Sequence, residues 1–176
     1  MNFYSLFVPK QAVGASLKYF DLFNATGSAS YLLVHSVQPV VSGAVAVTGT
    51  LSVDLFLQRT TAVGTGGTAA TREGTDPTAC TISGITTTTP IDSRITARIT
   101  PSGGATAGAV MDFYSVFTEE TNAGTYTPAV NLARVPGVAE IPPLLVPEGT
   151  GLMVVQGSVA SVGNIGFHVV FQIIKK

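Results

Sequence analysis

Charge is what this chain has least of. Asp, Glu, Lys and Arg make up 11% of its 176 residues, and the formal net charge is −1; an ordinary soluble domain carries about 25% charged residues. The nine Lys and Arg are scattered and form no basic stripe, so a nucleic-acid partner is not expected. Cysteine is nearly absent: Cys80 stands alone, which excludes an intrachain disulfide, and it reads as a small, half-buried residue beside Thr and Ile. Tryptophan is missing and histidine occurs only as His35 and His168. Long apolar runs are missing too. The uncharged region at residues 34–53 is broken by Pro39, Gly43 and Gly49, well short of the ~20 apolar residues of a membrane-spanning helix. The opening residues lack a basic leader segment, and Pro9 interrupts their apolar run, so no secretory signal is expected. A sustained helical period is the last absence: no window of a dozen residues shows a 3.6-residue period free of Gly and Pro.

What remains is a series of short β-branched and aromatic runs separated by Gly, Pro and Thr. The clearest is Leu51-Ser52-Val53-Asp54-Leu55-Phe56-Leu57-Gln58. Leu51, Val53, Leu55 and Leu57 fall on one face, and Ser52, Asp54, Phe56 and Gln58 on the other, the pattern of a half-buried strand. Residues 31–37 predict a strand stopped by Pro39, and residues 95–100 and 110–118 predict two more, the latter the most aromatic. Residues 16–23 break strict alternation, so they read as a strand covered on both faces or carrying a bulge. The C-terminal stretch, residues 144–176, reads as an antiparallel strand–turn–strand–loop–strand unit around Pro147-Glu148-Gly149-Thr150-Gly151. Residues 60–89 are dominated by Thr, Gly and Ala and are too long for a hairpin loop, so they predict a loop excursion. The fold expected is all-β: an antiparallel β-sandwich, jelly-roll-like, over residues 17–176, preceded by an N-terminal arm at residues 1–16.

Reactive constellations are hard to find. The Gly64-Thr65-Gly66-Gly67 cluster lacks the lysine and following helix of a phosphate loop, and reads as a flexible loop. Glu119 and Glu120 are neighbours that would point apart on a strand. Asp54 and Asp112 sit mid-strand and could meet across a sheet, as a glycosidase pair requires. His35 and His168 have no Cys, His or carboxylate at ligand spacing and read as structural. Asn24-Ala25-Thr26 matches a glycosylation sequon but carries little weight without a secretory signal. No catalytic, cofactor-binding or metal-ligating residue is therefore assigned, and the chain is not expected to be an enzyme; a hydrolase ranks last among the readings.

Two stretches carry a resemblance. Leu55-Phe56-Leu57-Gln58-Arg59-Thr60-Thr61-Ala62-Val63-Gly64-Thr65-Gly66-Gly67-Thr68, with Asp76-Pro77 downstream, and Leu145-Val146-Pro147-Glu148-Gly149-Thr150-Gly151-Leu152-Met153-Val154-Val155 resemble small virion proteins of tailed bacteriophages. The likeness extends loosely over residues 17–60. It implies a jelly-roll or β-sandwich subunit on the capsid surface, made in the host cytoplasm: a head decoration (cement) protein, commonly trimeric, bound to the major capsid protein. The alternative is a tail or fibre tip that binds a host receptor or glycan. A surface this poor in charge favours association, so a homo-oligomer, as a trimer, is expected. Phe3, Tyr4, Leu6 and Phe7 of the arm are the candidate partner contacts.

Overall fold

The computed structural model describes residues 2–42, 51–70, 72–73, 91–118, 125–126, 131–133 and 143–176. Among these residues there is no helix, and the chain forms two antiparallel sheets packed as a β-sandwich. The strands are β1 (Asn2–Ala12), β2 (Lys18–Asn24), β3 (Ser30–Ser42), β4 (Leu51–Thr60), β5 (Thr68–Ala69), β6 (Arg72–Glu73), β7 (Ile95–Ile99), β8 (Ala107–Thr118), β9 (Thr125–Tyr126), β10 (Leu144–Val146), β11 (Thr150–Gln156) and β12 (Asn164–Lys175). One sheet runs β10-β3-β12-β1-β6, with β9 also on β3; the other runs β5-β7-β2-β11-β4-β8.

The winding follows from nesting. β1 pairs with β12 and β2 with β11, and β3 takes β10 as β4 takes β8. The first and last strands of the chain thus form one long antiparallel ribbon, rolled so that successive strands alternate between sheets. That is the jelly-roll arrangement. The C-terminal strands expected as one unit exist, but they do not pair with one another. β10 and β12 lie in the first sheet and β11 in the second.

The core fills the space between the sheets. Leu6, Val8, Leu32, Val34, Val37, Phe167, Val169 and Phe171 come from one side, and Phe20, Leu22, Val53, Leu55, Leu57, Leu152 and Val154 from the other. Phe167 lies at the centre, its ring 5.2 Å from that of Tyr19 and 5.6 Å from that of Phe20. Burial of each such side chain contributes about 1.5–3 kcal/mol. In β2 both expectations hold. A register shift opposite Val154 and Val155 turns Tyr19 as well as Phe20 into the core, and Asp21 and Phe23 on the other face are buried too. Tyr19 Oη donates to Gln156 Oε1 at 2.8 Å, which also accepts from the Gly14 amide at 2.9 Å, so the phenol enters the core with its polar end satisfied.

Two prolines expected to end strands do not. Pro39 lies within β3, opposite Phe167. Two residues earlier, the Val37 amide and carbonyl turn away from β12 to Asn131 Oδ1 and the Leu132 amide. By the period of two, the nitrogen of Pro39 faces that same side, so β12 loses no hydrogen bond. Pro9 sits where the β1–β12 register shifts between Val8 and Gln11, a bulge that absorbs it. The expected N-terminal arm is thereby corrected. Residues 2–12 form an interior strand of the first sheet, between β12 and β6.

Candidate functional site

The outer face of the second sheet divides into a covered and an open half. Over β2 and β11 the outer-face residues Asp21, Phe23 and Met153 are buried, and the described part of the Thr/Gly excursion is held to the sheet there. Asp21 anchors it: its Oδ2 accepts from the Gly64 amide at 2.7 Å and its Oδ1 from Thr60 Oγ1 at 3.2 Å. Burial raises the Asp21 carboxyl above its ordinary range, against the lowering effect of those two bonds and of Lys18 and Arg98. Arg98 Nη1 donates to the Gly66 carbonyl at 3.0 Å, and Thr65 pairs with Gly103. The glycine cluster read as a flexible loop is tethered at each of these points. Its Gly64 amide already serves a carboxylate, the opposite of a phosphate cradle.

Over β4 and β8 the face is open. Cross-strand register places Val155, Phe56 and Phe113 in one row. The Phe56 and Phe113 rings stack with centroids 6.0 Å apart and planes 23° from parallel. Phe113 is 61% exposed and Val110, further along β8 on the same side, 52%. The polar atoms beside them are internally engaged: Ser115 Oγ donates to Asp54 Oδ1, and the Phe113 amide donates to Asp112 Oδ1 at 2.8 Å. The result is an apolar, uncharged strip that reaches β8, the end strand of this sheet among the described residues. Such a strip has no catalytic chemistry of its own; it can remove apolar area from water against a partner.

The residues singled out in the sequence scatter. Tyr4 and Leu6 point into the core, 3% and 0% exposed, which corrects their choice as contacts on a projecting arm. Phe3 packs its ring 5.2 Å from that of His35, and only Phe7, 55% exposed, presents itself outward. Asp54 lies opposite Ser115 and Asp112 opposite Leu57, on opposite faces, so the two carboxylates do not form a pair. His168 is paired in register with Gln38 and Phe7, apart from His35. Among the described residues no group of three or more His, Cys, Asp or Glu could hold a metal ion. Asn24 is fully buried, its Nδ2 donating to the carbonyls of Ser30 and Val146, so the sequon has no room for a glycan. Cys80, Glu119, Glu120 and Asp76-Pro77 lie outside the described residues. The open strip was only half legible. Phe56 stands out as the one large apolar residue on the polar phase of β4, a signal for an outer-face aromatic, whereas the aromatic run of β8 has no alternation that assigns it a face.

No protein-family model, no curated protein and no solved structure matches this chain.

Proposed function

We propose that the chain is a non-enzymatic structural subunit of a virus particle, a decoration protein that docks on the outside of a bacteriophage head and reinforces it. The observation that carries this reading is the open apolar strip of Val155, Phe56, Phe113 and Val110 on a molecule with so few charges. A docking surface of this kind gains about 25 cal/mol for each Å² of apolar area removed from water and desolvates few charges in doing so. The jelly-roll winding supports it by analogy, since viral shell proteins use that architecture, although the fold alone assigns no function. The partner in this reading is the major capsid protein, on a neutral part of the shell surface.

Co-sedimentation of the purified protein with undecorated phage heads tests the reading. Binding is expected, with an affinity that changes less than about threefold between low and high NaCl, because screening acts on charges and this contact has few. Phe113→Asp is expected to weaken it at least about tenfold, as loss of a central aromatic anchor does. Absence of binding to heads, together with adsorption to host cells or glycans, would replace the decoration role with that of a receptor-binding tip. Binding to heads that collapses as salt rises would overturn the neutral contact.

A further inference from the structure

We infer that β8 is the site of self-association, and that two copies of the chain join edge to edge across a two-fold axis through Phe113, making one continuous sheet. This goes beyond the docking role above and holds whatever the apolar face contacts.

β8 is an unprotected edge. Among the described residues, the other ends of the two sheets are β5, β6 and β10, each two or three residues long. β8 has 12 residues, pairs with β4 on one side and with no described strand on the other. Proteins usually shorten, charge or cover such an edge, because its unpaired backbone groups template another strand. β8 carries one charged residue, Asp112, and exposes Val110, Met111, Phe113 and Tyr114.

Register selects how two β8 strands can meet. A two-fold axis perpendicular to the sheet keeps each face on its own side, so the axis must pass through a residue whose own copy stands opposite. Through Asp112, two like charges would meet, which is destabilising. Through Tyr114, Asp112 would stand opposite Val116, a core residue 2% exposed, and a carboxylate would be drawn toward the core. Through Phe113, Asp112 stands opposite Tyr114. The register shift of β8 between Leu57 and Gln58 leaves Met111 as an extra residue, so Val110 then meets Ser115 on the outer face. Next in line, the small residues Gly108 and Ala109 stand opposite Val116. In this register alone of the three, no charge is opposed or driven toward the core, and Phe56, Phe113 and their copies form one aromatic row across four strands.

Pairing of the two edges is also self-limiting. Each copy's β8 edge is taken up by the other, so growth through β8 stops at two. The strand extends about 40 Å at ~3.3 Å per residue, and an edge contact of that length is at the small end of specific interfaces. A reversible, micromolar dimer is expected from it rather than an obligate one. This two-fold takes the place of the trimer suggested by the sequence.

Asp112 regulates the edge. Its carboxylate holds the Phe113 amide, a donor that β4 does not use and that a second β8 would need. Sedimentation equilibrium of the full chain, from micromolar to near-millimolar concentration, is the test. A monomer–dimer equilibrium is expected. Phe113→Asp, which sets two carboxylates face to face on the axis, should weaken it at least about tenfold, and Val110→Asp should do the same independently. Asp112→Ala should tighten it about threefold to tenfold by freeing the amide and removing the charge. In a Cys80→Ser background, Phe113→Cys should give a disulfide-linked dimer on mild oxidation and Ser52→Cys should not. A wild-type protein that stays monomeric, a trimer, open-ended polymers, or a dimer indifferent to both Asp substitutions would overturn the proposal.

Discussion

Asp21 is the residue whose environment is most at odds with its chemistry. It is a carboxylate on the outer side of β2, only 1% exposed, and it holds the start of the Thr/Gly loop through Thr60 and Gly64. Two accepted hydrogen bonds favour its charged form, but burial opposes them more strongly and its pKa is raised. The sign of the linkage follows. Between the unfolded value and the raised folded value the native state binds the proton more tightly. Stability from this group is therefore fully present below the ordinary Asp range and is lost as pH rises through the folded pKa. Asp21→Asn keeps an acceptor for the Gly64 amide and does not titrate. Its stability relative to wild type, from urea unfolding at a series of pH values, is expected to grow from acid toward neutral pH and then level off. A difference that stays flat would mean that Asp21 ionises as it does in water. Asp21→Ala strands the Gly64 amide and should cost about 1–3 kcal/mol. Glu148 acts in the opposite sense, because Lys176 Nζ at 2.9 Å holds its pKa below the ordinary range with help from the Ala29 amide and Ser28. Its clamp on the C-terminus is present above the ordinary Glu range and is lost as pH falls through the lowered value.

Among the elements, the β1–β12 ladder shows how a local irregularity is built in. Gly166 lies opposite the bulge that carries Pro9, where a Cβ would stand 2.6 Å from the Val8 carbonyl oxygen and 3.0 Å from the Lys10 nitrogen. Both are backbone atoms, so the strand itself would have to move. Gly166→Ala is expected to destabilise by about 2 kcal/mol or more, read as a lower urea midpoint with an unchanged slope. Gly14→Ala, whose nearest contact would be 3.8 Å away, should fall within about 0.5 kcal/mol of wild type. A Gly166→Ala protein as stable as the Gly14 variant would refute the tight fit. The same ladder shows which elements the sequence could reveal. Strand content was legible wherever alternation was clean, as in β4, since a side-chain period of two needs only neighbours in sequence. Pairing was not legible. β11 and β12 are joined by a short loop yet lie in different sheets, because rolling the ribbon decides partners by distance across the whole chain. Pro9 and Pro39 misled for a related reason: a proline breaks a strand only where its missing N–H faces a partner, and that depends on which strand lies beside it. Phe56 was readable as an outer-face residue from its phase, whereas the exposure of Phe113 follows from β8 being an edge, which no local pattern announces.

For the whole molecule, the nested ribbon makes the end of the chain indispensable to the beginning. β12 lies between β1 and β3 in one sheet, and β11 between β2 and β4 in the other. Until residues 150–175 are in place, each sheet lacks a central strand, and four long strands each lack a partner they have in the native fold. Phe167 and Phe171 on β12, fully buried at the centre of the sandwich, are missing at that stage as well. Almost no native pairing is local, so loop-closure entropy must be overcome before contacts repay it, and folding should be slow for the chain's length. Refolding from urea, followed by far-UV circular dichroism because the chain has no Trp, is expected on a timescale of about seconds or longer, against microseconds to milliseconds for proteins rich in local contacts. A chain ending at residue 163 retains every strand except β12, yet it should show no cooperative unfolding transition and should aggregate through the exposed edges of β1 and β3. Supplying β12 as a separate peptide should restore a transition, since what is missing is a strand and not a folding signal. A residue 1–163 chain that unfolds cooperatively by itself, or refolding of the full chain within a millisecond, would show that the first strands pair without the last and that the ribbon does not govern folding.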